Sequence, residues 1–208
     1  MVDYTSTFGK GVMPTFAMRP GQGSTSWMYG GDESKVVMDE YLADRAANQI
    51  GANSQLARAM AYYHDLGKTE NPTMFVENQI GYSNPHENLS PSESANIIKS
   101  HVTEGVRLAK RFKIPEIVYK GIIEHHGDGV IRYFYEKEKL ENSDVLKENF
   151  RHLGQKPSSK ESAILMLADS LEAACRAIFM VEDADEEKIK FSLSRTSKLR
   201  KARELHTS

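Results

Sequence analysis

At 208 residues, 39% hydrophobic and with a formal charge of −2, the chain has the material for one globular domain with a real core. Its 27 basic and 29 acidic side chains nearly balance, which excludes a global field that would attract a duplex nucleic acid or an anionic membrane. An anionic partner must then be captured locally, and a small nucleotide suits such capture. Cys175 is the only cysteine, no stretch is apolar enough to span a bilayer, and the start lacks a signal-peptide layout; a cytoplasmic chain without disulfides and with no membrane contact of its own is expected.

Residues 1–33 carry Gly9, Gly11, Gly21, Gly23, Gly30 and Gly31 among Ser, Thr and Pro and read as an irregular N-terminal arm. Residues 34–180 read as the main domain. In it Met38, Leu42, Ala46 and Ile50 recur every four residues ahead of Gly51, predicting an amphipathic helix of roughly four to five turns with that row inward. A second helix begins near Ser54, buries Leu56, Met60 and Tyr63, and ends by delivering His64-Asp65 ahead of Gly67. Thr69 to Leu89, with Pro72, Gly81, Asn84 and Pro85, reads as a long loop with one short turn, a length usually kept for function.

Ser90-Pro91-Ser92-Glu93 combines an N-cap, a proline at the first helical position and a capping-box glutamate. The helix it opens carries Ile98, Val102, Val106 and Ala109 on one face, with His101 on the same side. Pro115 opens the next, whose row Val118, Ile122 leads on to His125 and His126. After a charged segment from Glu136 to Lys156, Ser158-Ser159-Lys160-Glu161 reads as a second capping box before an apolar helix over 163–180 that contains Asp169. Residues 181–208 alternate acidic and basic runs and read as a charged tail. No stretch has the period of a strand, so the fold expected is all-α, a bundle of about seven or more helices.

Each polar residue on these faces has an ordinary explanation. A lone histidine such as His101 can be a hydrogen-bonded core residue, His125-His126 can cap a helix C-terminus, and Asp169 can pair with Arg176. His86 and His152, in polar surroundings, read as surface residues. The conjunction argues otherwise, because His64, Asp65, His101, His125, His126 and Asp169 all fall near the buried faces of separate helices. Imidazole and carboxylate without thiolate suit divalent iron, manganese, nickel or zinc, or magnesium with water. Six ligands exceed the needs of one open catalytic ion, so two divalent ions are expected, bridged by an Asp. Such a pair, roughly 3.5–4 Å apart, serves phosphate ester hydrolysis best. Lys68, one turn beyond His64, would add a cationic contact to the substrate phosphate.

The string His64-Asp65-Leu66-Gly67-Lys68 resembles the signature of the HD superfamily of metal-dependent phosphohydrolases. The match narrows with Tyr62-Tyr63-His64-Asp65, Phe75-Val76-Glu77-Asn78-Gln79, Asn84-Pro85-His86, Leu89-Ser90-Pro91-Ser92, Ser94-Ala95, Ile97-Ile98, Ser100-His101-Val102 and Gly105-Val106. Together these look like the cytosolic HD domain of seven-transmembrane HD receptors, which degrade cyclic di-AMP to the linear dinucleotide. The resemblance runs from about Ile50 to Phe179 and implies an HD-domain helical bundle. It also implies metal ligands at His64, Asp65, His101, His125, His126 and Asp169, with Asp65 bridging.

One ligand of that family has no counterpart. Its first His aligns with Lys35, and no His precedes His64. The resemblance therefore implies that one of the two metal positions is weakened, with Asp32, Glu33, Asp39 or water as substitutes. The leading expectation is a phosphodiesterase on a cyclic dinucleotide, with Asp65 and Lys68 as its catalytic residues, Lys68 also binding substrate, and turnover reduced. The alternatives are a degenerate domain that senses a nucleotide without turnover and a nucleotidase acting on mononucleotides.

Overall fold

The computed structural model describes residues 33–79 and 83–179. The arm expected over 1–33, apart from Glu33, and the charged tail from 181 lie outside the described residues, as does Asp32. Among the described residues six α-helices follow in order: α1 (Glu33–Gln49), α2 (Ser54–Tyr63), α3 (Pro91–Arg111), α4 (Glu116–Glu124), α5 (Arg132–Glu141) and α6 (Lys160–Phe179). Among the described residues there is no strand, only an isolated bridge between Val130 and Arg151. The all-α expectation holds.

Local sequence sets most helix boundaries. Asn53 accepts from the Leu56 backbone N–H at 3.0 Å and caps α2. Gly51 supplies the positive φ, +64°, on which α1 turns off. Ser90 and Glu93 form the complete capping box of α3. At α6 the cap is shifted from the expected register. Ser159 caps and pairs with Ser162, which leaves Glu161 free to accept from the Asn53 backbone N–H at 2.8 Å, and Ser158 gives both its N–H and its hydroxyl to Glu124. The serines thus tie the start of α6 to the end of α4, just ahead of His125.

The main core gathers Leu56, Met60 and Tyr63 of α2, Leu108 and Ala109 of α3, Val118 and Ile122 of α4, and Ile164 and Leu165 of α6. The buried face of α1 is not the row Met38, Leu42, Ala46, Ile50. Met38 and Ile50 are about half exposed, and the inward row is Lys35, Asp39, Ala43 and Ala47. The physical reason is that two alanines let the α1 backbone approach its neighbours closely while Lys35 and Asp39 find ionic partners inside; apolar periodicity alone points one residue away from the true face.

One further expectation changes. Where a loop with one short turn is expected over Thr69 to Leu89, the described residues hold 3₁₀ turns at Pro72–Met74, Val76–Asn78 and Pro85–Asn88, preceded by one at Leu66–Glu70. The charged segment after Glu136 is partly helical, since α5 runs through Glu141 and packs Phe134 against Ala95 and Phe150 in a second, smaller core.

Candidate metal centre

The His64-Asp65 dipeptide sits where α2 ends, and the next turn is forced against α3. A Cβ built on Gly67 would lie 1.8 Å from the His101 carbonyl oxygen, so only glycine permits this approach. The contact brings His101 of α3 beside Asp65. The end of α4 adds His125 and His126, and α6 adds Asp169. The structure therefore brings together all six residues singled out as ligands.

Three imidazoles are oriented by the same device. His64, His101 and His125 each present Nδ1 to the carbonyl three residues earlier in their own helix, at 2.6 Å to Ala61, 2.5 Å to Ile98 and 2.9 Å to Ile122. An Nδ1–H donated to a carbonyl fixes the tautomer and leaves the Nε2 lone pair pointing inward, as metal-ligating histidines require. His101 Nε2 and His125 Nε2 lie 3.1 Å apart. With metal–nitrogen bonds of ~2.1 Å, that separation corresponds to an angle of about 95° at a shared ion. Asp65 Oδ1 stands 3.8 Å and 3.7 Å from the same two nitrogens and is buried without a hydrogen-bond partner. An orphaned carboxylate oxygen facing two nitrogen lone pairs fits a cation between them, and His126 completes the cluster with His101 and His125.

The electrostatics suit that reading. Burial, reinforced by the neighbouring imidazole, lowers His101 to about 3 and His125 to about 4, so both rings are neutral at pH 7. His126 is lowered for the same reasons. Burial pushes the Asp65 carboxyl upward, but His64, Lys35 and Lys68 outweigh it and hold Asp65 well below the usual carboxylate range.

The other half of the site is organised differently. Lys35 Nζ lies 2.8 Å from Asp39 Oδ2, 2.9 Å from Asp65 Oδ2, 3.1 Å from Asp169 Oδ1 and 3.1 Å from His64 Nε2. Burial opposes its charge, yet the three carboxylates raise it well above 10.5. Burial also disfavours a charge on His64, while Asp65 draws a proton onto it, toward about 10. Both cannot present N–H groups across 3.1 Å. Lys35 keeps its proton, and the His64 Nε2 that faces it also lies 3.0 Å from Asp65 Oδ2.

Lys68 reaches Asp65 Oδ2 at 2.8 Å and makes a short contact with Glu77. Two of its three N–H groups are thereby engaged on protein carboxylates, and Glu77, quoted from the sequence only within the Phe75–Gln79 string, is not among the candidate site residues. His152 is a second omission and a correction, since it is not a surface residue. Its backbone N–H donates to Gly129 at 2.8 Å and Ile131 N–H donates to Phe150 at 2.8 Å, and this pairing brings the His152 ring over His126 with centroids 4.2 Å apart. His86 is also interior, 8% exposed, with Nε2 at 2.7 Å from the Met74 carbonyl, and it pins the 3₁₀ segment together. Of the possible substitutes for the missing first ligand, Asp39 is the one the described side chains place inside, at 0% exposure.

An all-helical bundle that closes imidazoles and carboxylates around a buried His-Asp dipeptide defines the class of HD-type domains with a divalent-metal site. A model of that domain matches residues 39–174, and the chain belongs to the HD domain family. It is 46% identical over 142 residues to the cyclic-di-AMP phosphodiesterase PgpH of Bacillus subtilis (strain 168), covering 68% of this chain and 20% of that protein. The Listeria monocytogenes (serotype 1/2a, strain 10403S) enzyme of the same name is 44% identical over 141 residues, with 68% and 20% covered. The chain spans about a fifth of the length of these curated relatives. The crystal structure of the L. monocytogenes PgpH HD domain in complex with cyclic-di-AMP superimposes with a TM-score of 0.77 at 38% identity, covering 84% of this chain and 78% of that one.

Proposed function

We propose that the chain is a metal-dependent phosphodiesterase domain that hydrolyses a cyclic dinucleotide, cyclic di-AMP first among them, in the cytoplasm. The observation that carries this reading is the orphaned Asp65 Oδ1 facing the neutral Nε2 atoms of His101 and His125. These residues, with His126, would hold a divalent ion, iron or manganese by preference for a nitrogen and oxygen set. When bound, such an ion supplies Lewis acidity toward a phosphoryl group and lowers the pKa of water. The protein supplies the rest. Backbone carbonyls fix the histidine tautomers, Lys35 and Lys68 fix Asp65 from its other oxygen, and Asp169 stands 3.7 Å from His126 Nδ1 across the site. Lys68, with two N–H groups on carboxylates, would offer the third to a phosphate oxygen.

A second reading, a nucleotide sensor without turnover, is favoured by Lys35, whose ammonium has no open valence for a phosphoryl oxygen or a water. Incubating the full chain with manganese and cyclic di-AMP decides between them, with products followed by chromatography and binding by calorimetry. Release of linear dinucleotide supports the enzyme, and binding without product supports the sensor. Neither binding nor product would overturn both.

A further inference from the structure

We infer that the Lys35 ammonium is a built-in cation that takes the place of a second metal ion, leaving one divalent ion per chain at His101, His125, His126 and Asp65. The inference deepens the proposed function and rests on that reading for the identity of the substrate alone.

Asp39, His64 and Asp169 place ligand atoms within 4.8 Å of one another and on their own would form a second metal group. Lys35 Nζ lies among those atoms, 2.8 Å to 3.1 Å from Asp39 Oδ2, His64 Nε2 and Asp169 Oδ1, and also 2.9 Å from Asp65 Oδ2. Three carboxylate oxygens converge on a group with three N–H donors, so no donor is left for substrate. A metal ion could enter only by expelling the ammonium, and a cation beside a divalent ion is strongly repelled in a buried setting. Asp65 keeps its two-sided role: Oδ2 serves Lys35 and Lys68, and Oδ1 faces the histidines.

The charges agree. Lys35 meets Asp39, Asp65 and Asp169, and Lys68 meets Asp65 and Glu77, so every carboxylate of the group already has an ammonium beside it. Lys35 thus reproduces the templating role of an ion, holding three carboxylates and an imidazole in place, without its Lewis acidity or its exchangeable position.

The test is metal stoichiometry of the full chain loaded with Mn²⁺, read by elemental analysis together with electron paramagnetic resonance. The expected result is about one ion per chain with the spectrum of an isolated ion, lost in His125→Ala. Lys35→His, which exchanges the ammonium for a lone pair, and Lys35→Ala, which vacates the position, should each bind about two ions with an exchange-coupled spectrum. Two ions in the unchanged protein would overturn the inference, as would an ion retained in His125→Ala, or one ion still bound by both Lys35 variants when their circular dichroism is unchanged. The unchanged protein decides even if neither Lys35 variant folds. Failure to bind cyclic di-AMP would instead overturn the proposed substrate and leave these counts standing.

Discussion

Lys35 Nζ sits 2.9 Å from Oδ2 of Asp65, the carboxylate whose other oxygen faces His101 and His125 without a partner of its own. One oxygen is held by a tethered cation and the other is turned toward the imidazoles. The stability of the fold and its affinity for metal are therefore linked through this single side chain.

Removing the tethered cation exposes the link. Lys35→Ala leaves Asp39, Asp65 and Asp169 buried with a counter-charge missing, and breaking a buried ion pair from one side costs on the order of 3–5 kcal/mol. In chelator the variant should unfold well below the unchanged protein, and saturating Mn²⁺ should recover most of the difference, because an ion that binds only the native state stabilises it. Thermal unfolding with and without metal measures both quantities. A variant as stable as the unchanged protein in chelator would mean that Lys35 does not neutralise these carboxylates.

Gly67 tests how the site is assembled. Gly67→Ala must push α3 away from the turn that follows Asp65, since the added Cβ meets backbone at 1.8 Å and backbone cannot yield as a side chain can. Overpacking costs about 1–3 kcal/mol, and His101 would move with α3, so a loss of metal affinity should accompany the loss of stability. Ser90→Ala is the control: losing the α3 cap costs about 1 kcal/mol and should leave metal affinity in place. Equal effects of the two substitutions on metal binding would refute the role given to Gly67.

How much of this was readable in the sequence depends on whether a signal is local. The cap at Ser90, the stop at Gly51 and the six candidate positions come from short-range patterns and from the family resemblance, and the structure brings those six residues to one place. The inward face of α1 was misread because its buried residues are two alanines and two charges, which carry no hydrophobic period. His152 was missed because an irregular pairing between Gly129–Ile131 and Phe150–His152 delivers it, and such pairing has no one-segment signature. The register of Lys35 was visible by alignment with the family. That its ammonium would meet three carboxylates and the His64 ring required the positions of α1, α2 and α6 together.

His152 is expected to contact substrate in preference to metal. Its ring stacks on His126 at an interplanar angle of 34° and it is not among the grouped metal ligands. His152→Ala should keep the metal stoichiometry and weaken cyclic di-AMP binding roughly tenfold, in line with about 1–3 kcal/mol for a base stacked on an aromatic ring. Calorimetry on the loaded protein reads the affinity and elemental analysis reads the metal. Loss of the ion with affinity unchanged would make His152 a support for the ligand shell instead.

The metal-free fold should be sensitive to acid in a particular window. Burial lowers His101 to about 3 and His125 and His152 each to about 4, while the same imidazoles in the unfolded chain titrate near 6.5. Between these limits the unfolded chain binds protons that the native state refuses, so stability rises with pH. The contribution of these groups is present above about pH 6.5 and is lost as pH falls toward 4. In chelator the unfolding temperature should therefore drop steadily from pH 6.5 to 4.5. Bound Mn²⁺ should deepen the drop, because protons then also compete for the ligand nitrogens and strip the stabilising ion. An unfolding temperature that is flat or rising over this interval in chelator would show that the imidazoles take up protons within the fold, and neutral Nε2 ligands at physiological pH would have to be abandoned.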